Sequence, residues 1–178
     1  FPGNSADRRS RAYDVIHYKI AVGFDEVDKG VNGTTSITVT PLSSSLDSLV
    51  FDAAEMNVES VLLQSRPLRF ANRSPLLTVF FDKPLGLSDT VTVAIQYSCT
   101  PTAGLYFVQP DSTDPKRRRQ IWSQGEDTDN HFWFPCYDYL NDKATSEVVA
   151  TVPEWYTLLS NGKLLTTTHD TKKRTKTF

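Results

Sequence analysis

The sequence predicts an all-β fold, a β-sandwich of mostly antiparallel strands. Short runs of alternating apolar and polar residues recur along the chain, and clusters of Gly, Pro, Asn and Asp separate these runs. No stretch of about twelve or more residues shows the helical period of apolar positions. Many short strands with turns between them are typical of β-sandwiches. We therefore expect one β domain over residues 13–178, preceded by an irregular segment over residues 1–12.

The alternation is clearest in the N-terminal half of the chain. Residues 13–24 and 34–40 alternate on either side of a cluster of turn-forming residues, which predicts a long hairpin. Residues 90–97 alternate most regularly and predict a strand with one buried face. Shorter strands are expected over residues 49–51, 56–63, 76–81, 105–108, 120–123 and 146–152.

The C-terminal part contains one hairpin signal and one weak helical signal. Residues 156–160 have a strand-like composition, and Asn161 and Gly162 follow them. Asn-Gly between strand-like runs is typical of a two-residue hairpin turn, so we expect residues 158–159 to pair with residues 163–165. A short turn of helix over residues 141–145 is the only helix predicted.

Composition and charge exclude several classes of partner. The 178-residue chain has a formal net charge of −2, whereas nucleic-acid and anionic-membrane surfaces require a broad basic field, so we expect no nucleic-acid partner. No apolar run is long enough to span a membrane. The N-terminal residues lack the apolar segment of a signal peptide, and the sequence leaves the compartment open between cytoplasm and periplasm or secretion.

The basic run and the two cysteines of the sequence both favour a structural over a functional interpretation. The basic run at residues 116–119 follows turn-forming residues, which favours a solvated hairpin tip over a binding patch. Cys99 and Cys136 could form one disulfide bond, but a domain of this size does not need one for stability. We therefore expect two free thiols.

The stretch from Arg119 to Ala144 is the densest in chemically active side chains. Asp127, Asp129 and His131 would share a face if this segment were extended, as the ligands of a metal site do, but a solvated acidic loop is the favoured interpretation. The sequence contains no H-E-x-x-H, no G-x-S-x-G and no Gly-rich phosphate loop. Catalysis by this chain alone is therefore not expected.

Glu126 is the strongest candidate for a binding residue. It follows a predicted strand, adjoins Gly125, where a backbone can approach a ligand closely, and precedes an aromatic block that can exclude water. A carboxylate in this position could bind a cation through a charge-assisted hydrogen bond worth about 1.5–3 kcal/mol. An acidic loop residue in water is an equal alternative on chemistry alone.

The same stretch resembles the zinc aminopeptidases related to aminopeptidase N. The family's Q-x-E, F-P-C-x-D, K-A and S-N elements match in spacing, at Gln124 to Glu126, at residues 134–138, at Lys143 and Ala144, and at Ser160 and Asn161. The chain departs from the family in two pairs. Asn130 and His131 replace Ala-Arg, and Tyr139 and Leu140 replace Glu-Pro.

The resemblance implies a saddle-like β-sandwich, the N-terminal domain, that docks against a separate catalytic domain holding the zinc. The chain contains neither the family's G-x-M-E-N strand nor its H-E-x-x-H helix. We therefore expect the catalytic zinc domain to be absent from this chain. Zinc would be a cofactor of the full-length parent, and the chain alone would bind no metal and show no peptidase activity.

The resemblance also implies roles for individual residues. Glu126 would bind the free α-amino group of a peptide, Gln124 would line the pocket for the first side chain, and Gly125 would lie against the substrate between them. Expected partners are a peptide N-terminus and the parent's own catalytic domain. The expected function is that of the N-terminal domain of a zinc metallo-aminopeptidase, and a non-catalytic scaffold or interaction domain related to the family is the alternative.

Overall fold

The computed structural model describes residues 11–178, and this part of the chain contains thirteen β-strands and no α-helix. The all-β prediction is therefore confirmed. The strands are β1 Tyr13–Asp25, β2 Gly30–Pro41, β3 Leu46–Asp52, β4 Asn57–Leu63, β5 Arg66–Pro67, β6 Arg69–Arg73, β7 Leu76–Leu85, β8 Val91–Cys99, β9 Leu105–Val108, β10 Gln120–Ser123, β11 Thr145–Pro153, β12 Thr168–Asp170 and β13 Thr175–Thr177.

The strands form three sheets. An eight-stranded sheet has the order β12-β13-β11-β1-β2-β8-β4-β5, a three-stranded sheet has the order β3-β7-β6, and β9 and β10 form a separate ribbon. Within the described residues, β1 and β11 form the one parallel pair, and the other pairs are antiparallel. The predicted mostly antiparallel arrangement is therefore confirmed.

One hydrophobic core lies between the two larger sheets. Alternate residues of each strand point into it, because successive side chains of a strand face opposite sides of the sheet. The eight-stranded sheet contributes the fully buried Ile37, Val39, Val93 and Ile95, and the three-stranded sheet contributes Leu49, Phe51, Leu77 and Val79.

The predicted N-terminal hairpin is formed by β1 and β2. Asp25 caps its turn, because its Oδ1 accepts the backbone N–H groups of Val27 at 2.8 Å and Asp28 at 3.1 Å. β8 pairs with the other side of β2 along nine residues. These three long strands provide the centre of the larger sheet.

The C-terminal hairpin predicted at Asn161 and Gly162 is wrong. Residues 156–167 belong to no strand, and the hairpin of this region is formed by β12 and β13, with its turn at residues 171–174. Its turn is fixed by Asp170, whose Oδ1 accepts the N–H groups of Lys172 and Lys173 at 3.0 Å. β13 then occupies the edge of β11, so residues 156–160 have no ladder to join.

The helical turn predicted over residues 141–145 is also wrong. Asp142 accepts the N–H of Val15 at 3.0 Å, and the Thr145 side chain donates to the Ile16 carbonyl at 3.1 Å, so this segment runs along β1. A single turn of 3₁₀-helix forms instead at Asn130–Phe132.

The sequence does not predict the strands β5 and β6, because their polar residues show little alternation of apolar and polar positions. These strands pair through backbone hydrogen bonds, which the pattern of side chains does not reveal.

The predictions for the basic run and for the cysteines are confirmed. Residues 110–120 are exposed and connect β9 to β10, and Arg117 forms ion pairs with Asp111 at 3.1 Å and Asp114 at 3.5 Å. Cys99 and Cys136 are both free thiols. None of the helical structure within residues 11–178 is long and apolar enough to cross a membrane.

We expect Gly33→Ala to lower the free energy of unfolding by about 1–3 kcal/mol, the cost of overpacking. A Cβ at Gly33 would lie 2.8 Å from the Tyr97 hydroxyl and 3.0 Å from the Ala21 carbonyl oxygen. Gly23→Ala is the matched control, because a Cβ there meets no atom within 4 Å. Urea unfolding of both variants measures the difference, and equal stabilities would contradict the packing.

The thiols should be inert in the folded chain. Burial raises the pKa of Cys99 to about 12, so this thiol stays protonated at pH 8, and Cys136 is buried. Iodoacetamide at pH 8 should therefore modify both residues slowly in the native protein and rapidly in denaturant. Mass spectrometry measures both rates, and absence of a second reactive thiol in denaturant would contradict the assignment.

Candidate functional site

The candidate binding segment begins where the β9–β10 ribbon ends. β10 finishes at Ser123, and the N–H of Gln124 donates to the Gly104 carbonyl at 2.9 Å. Gly104 has a φ of +76°, and a Cβ there would lie 1.9 Å from the carbonyl oxygen of Asp129. Only glycine therefore allows the start of β9 to pack against the loop that follows β10.

Residues 124–129 form a tight turn at the surface. The N–H of Asp129 donates to the Gly125 carbonyl at 3.1 Å and closes the turn. The side chains of Gln124 and Glu126 are exposed. Within the described residues, the Glu126 side chain forms no hydrogen bond or ion pair, so its carboxylate keeps its full capacity to accept hydrogen bonds.

Asp138 organises the turn of helix that follows this segment. Its Oδ2 accepts the backbone N–H of His131 at 3.0 Å and lies 2.8 Å from His131 Nδ1. Its Oδ1 accepts a longer bond of 3.4 Å from Asn130 Nδ2. The Asp138 side chain is only 7% exposed, so a buried carboxylate holds the beginning of the helix in place.

Backbone hydrogen bonds attach the aromatic segment, residues 131–138, to the end of β3. Asp52 and Cys136 exchange two hydrogen bonds, of 2.7 and 3.0 Å, and the Ala54 N–H donates to the His131 carbonyl at 2.9 Å. Asp52 Oδ2 also accepts the N–H of Asp138 at 2.9 Å. The segment is therefore fixed to the three-stranded sheet along much of its length.

Aromatic packing attaches the same segment to β1. Phe134 meets the ring of Tyr18 edge-on, with ring centroids 6.0 Å apart, and Trp133 and Phe134 are buried. The Tyr18 hydroxyl accepts the N–H of Tyr137 at 3.0 Å. Burial raises the pKa of Tyr18 well above its usual value, so this hydroxyl stays neutral at all physiological pH values.

The structure brings together the sequence-predicted residues of this stretch in two distinct roles. Gln124, Gly125 and Glu126 form an exposed edge, and residues 131–138 form the support beneath it. His131 contributes to the support through Asp138 rather than to a shared face with Asp127 and Asp129. No group of three His, Cys, Asp or Glu side chains suited to a metal ion occurs within residues 11–178.

Sequence reasoning missed the parts played by Gly104 and Asn130. On the sequence alone, Asn130 stands out only as a departure from the family pattern. A Cβ at Gly125 would lie 2.2–2.4 Å from three side-chain atoms of Asn130, so these two residues are in direct contact. The glycine itself was the available signal, because a glycine beside a binding residue often marks a close approach.

The family profile of the peptidase M1 N-terminal domain matches residues 14–178. The chain belongs to this family. The resemblance to zinc aminopeptidases is thereby confirmed, and so is the fold. An M1 zinc metallopeptidase from Deinococcus radiodurans superimposes with a TM-score of 0.79 at 22% identity, over 94% of this chain and 38% of that one.

The curated relatives that match this M1 N-terminal domain include an aminopeptidase and a subunit of a transcription factor. Aminopeptidase B from Mus musculus is 27% identical over 99 residues, which are 56% of this chain and 15% of that protein. Subunit 2 of transcription initiation factor TFIID from Gallus gallus is 35% identical over 79 residues, 42% of this chain and 7% of that protein. The chain thus spans a small part of each relative's length.

Replacing Asp138 should destabilise this M1 N-terminal domain. Asp138→Ala removes the acceptor of the His131 N–H and ring nitrogen, and leaving such buried groups unpaired costs about 1–3 kcal/mol. Asp127→Ala is the control, because Asp127 is exposed and should change stability by less than about 0.5 kcal/mol. Urea unfolding tests both, and an Asp138→Ala variant as stable as the control would show that the bonds are unimportant.

Proposed function

We propose that this chain is the N-terminal domain of a zinc aminopeptidase and that it binds the free α-amino group of the peptide substrate. Glu126 would accept hydrogen bonds from the ammonium group, and Gln124 would line the pocket for the first side chain. Gly125, between them, would let the substrate approach the backbone. The supporting observation is the exposed carboxylate of Glu126, without a partner among residues 11–178, on a turn whose backbone is held by a rigid support.

A fixed carboxylate suits the recognition that an aminopeptidase requires. The enzyme has to distinguish a charged N-terminus from an internal peptide bond. A charge-assisted hydrogen bond to an ammonium group stabilises the complex by about 1.5–3 kcal/mol. In the cleft of the parent, a bound internal peptide bond would desolvate this carboxylate without giving it a cationic partner, and that cost penalises internal peptide bonds.

The support formed by residues 131–138 matters because the hydrogen bond to the ammonium group reaches its full strength only when Glu126 is correctly oriented. Residues 131–138 are attached both to β3 and to β1, so Gln124 to Glu126 project from a segment that is fixed on two sides. A site held in place before the substrate arrives loses less conformational entropy on binding. The exposed edge therefore combines free polar side chains with an ordered backbone.

Zinc does not fit the residues that the structure describes. Over residues 11–178, no cluster of His, Cys, Asp or Glu could supply three ligands, and structural or catalytic zinc needs at least that number. In our proposal the metal belongs to the parent's catalytic domain, the second partner of this chain, and supplies the peptide-bond chemistry there. The chain alone would be inactive and would contribute only substrate binding.

A non-catalytic interaction domain is the second candidate function. The Gallus gallus relative named as subunit 2 of transcription initiation factor TFIID is 35% identical over 79 residues, compared with 27% over 99 residues for mouse aminopeptidase B. A scaffold of this kind would need the support formed by residues 131–138 but not the carboxylate of Glu126. The two candidate functions therefore differ in whether they require the carboxylate of Glu126.

Glu126→Ala in the full-length parent should lower kcat/KM for an aminoacyl p-nitroanilide by about 10- to 150-fold, the loss of one charge-assisted hydrogen bond. Zinc content and melting temperature should stay at the wild-type values, because Glu126 is exposed. Glu59→Ala is the matched control, an exposed glutamate on β4 whose carboxylate accepts one bond from Gln96. An unchanged kcat/KM in Glu126→Ala would refute the role and favour the scaffold.

A further inference from the structure

The contact between Gly125 and Asn130 links the substrate-facing edge to its support. A Cβ at Gly125 would lie 2.2 Å from Asn130 Oδ1 and 2.4 Å from both Cγ and Nδ2. The three nearest atoms to that position all belong to this one amide group. The Asn130 side chain therefore lies flat against the backbone of the residue that precedes Glu126.

The Asn130 amide is held on its other side by the buried support. Its Nδ2 donates to Asp138 Oδ1, and the N–H of the adjacent His131 donates to Asp138 Oδ2. Asp138 is itself fixed to β3, because its N–H donates to Asp52 Oδ2 at 2.9 Å. A continuous series of contacts thus runs from β3 through Asp138 and Asn130 to Gly125.

We infer that Asn130 is a positioning residue that sets the location of Glu126 by packing its amide against Gly125. This inference rests on the proposed binding of a substrate ammonium group by Glu126. The amide suits the task for two reasons. Its NH₂ group donates to the Asp138 carboxylate, and its planar shape fills the space that the missing side chain of Gly125 leaves. Neither Asn130 nor Gly125 has to touch the reacting atoms for this effect.

The geometry predicts how two substitutions should interact. Asn130→Ala removes the amide and leaves Gly125 without its contact. Gly125→Ala adds a methyl group where the amide lies and has to displace it from Asp138. In the double variant the new methyl group occupies space that the amide has vacated, so the two effects should not be additive.

The test uses the full-length parent enzyme and an aminoacyl p-nitroanilide substrate. Asn130→Ala and Gly125→Ala should each raise KM about fivefold, while kcat stays within about twofold, because a misplaced Glu126 weakens ground-state and transition-state binding alike. The double variant should have a lower KM than the product of the single effects predicts. Asn57→Ala is the matched control, an exposed asparagine whose one contact is 3.5 Å from Ser98 Oγ, and it should keep the wild-type KM.

Glu126→Ala, measured in the same series, separates the positioning role of Asn130 from the proposed function itself. If Glu126→Ala raises KM but Asn130→Ala and Gly125→Ala both keep the wild-type value, the positioning role is wrong and the proposed function stands. Strictly additive single effects would overturn the positioning role as well. If Glu126→Ala itself leaves kcat/KM unchanged, the proposed function fails and the positioning role fails with it.

Melting temperature and zinc content are measured for each variant, because they show whether a raised KM results simply from loss of structure. Should Asn130→Ala fail to fold, the comparison of Gly125→Ala with the double variant carries the test, because the methyl group of Gly125→Ala fills the space that the amide vacates. A Gly125→Ala enzyme with full zinc content whose raised KM falls when Asn130→Ala is added supports the inference, and one whose KM does not fall overturns it, since a direct contact between Gly125 and the substrate would not respond to Asn130. A Gly125→Ala enzyme with wild-type KM overturns the inference as well.

Discussion

The paired hydrogen bonds between Asp52 and Cys136 are the constraint on which the candidate site depends. They attach the loop before β11 to the end of β3, and the aspartate side chain adds a bond to the N–H of Asp138. The aromatic residues that follow the turn of 3₁₀-helix are thereby brought against β1. Without this attachment the segment from β10 to β11 would cross the surface as an ordinary loop, and its polar edge would have no defined location.

This arrangement separates the chemistry of the edge from the stability of its support. The side chains that could bind a ligand carry little of the folding energy, because Gln124 and Glu126 are exposed. The groups that hold them are backbone amides, a buried carboxylate and aromatic rings. Substitution at the edge can therefore alter binding without unfolding the domain, which would let relatives with different functions share one scaffold.

The sequence predicted those parts of the fold that depend on alternation along a single strand. β1, β2 and β8 each bury one face, so their apolar residues recur at every second position. The prediction of a hairpin at Asn161 and Gly162 was wrong, because a local turn signal does not reveal which strand will occupy the neighbouring edge of β11. Local context and the family pattern are enough to propose Glu126 as a binding residue. They do not suggest the proposed role of Asn130, because that role depends on contacts with Gly125 and Asp138 that only the folded chain creates.

The two ends of the eight-stranded sheet show how so wide a sheet avoids pairing with other chains. Its outermost strands are β5, of two residues and ending in Pro67, and β12, of three residues beside a turn rich in lysine. Another chain that added a strand to either end of this sheet would have very few residues to pair with. At one end Pro67 lacks a backbone N–H, and at the other end the turn beside β12 is positively charged. The long strands β1, β2 and β8 lie in the interior of the sheet and are paired on both sides, whereas β4 and β11 are paired along only part of their outer edges. The order of strands therefore limits edge-to-edge pairing at the two outermost strands, independently of anything that the site binds.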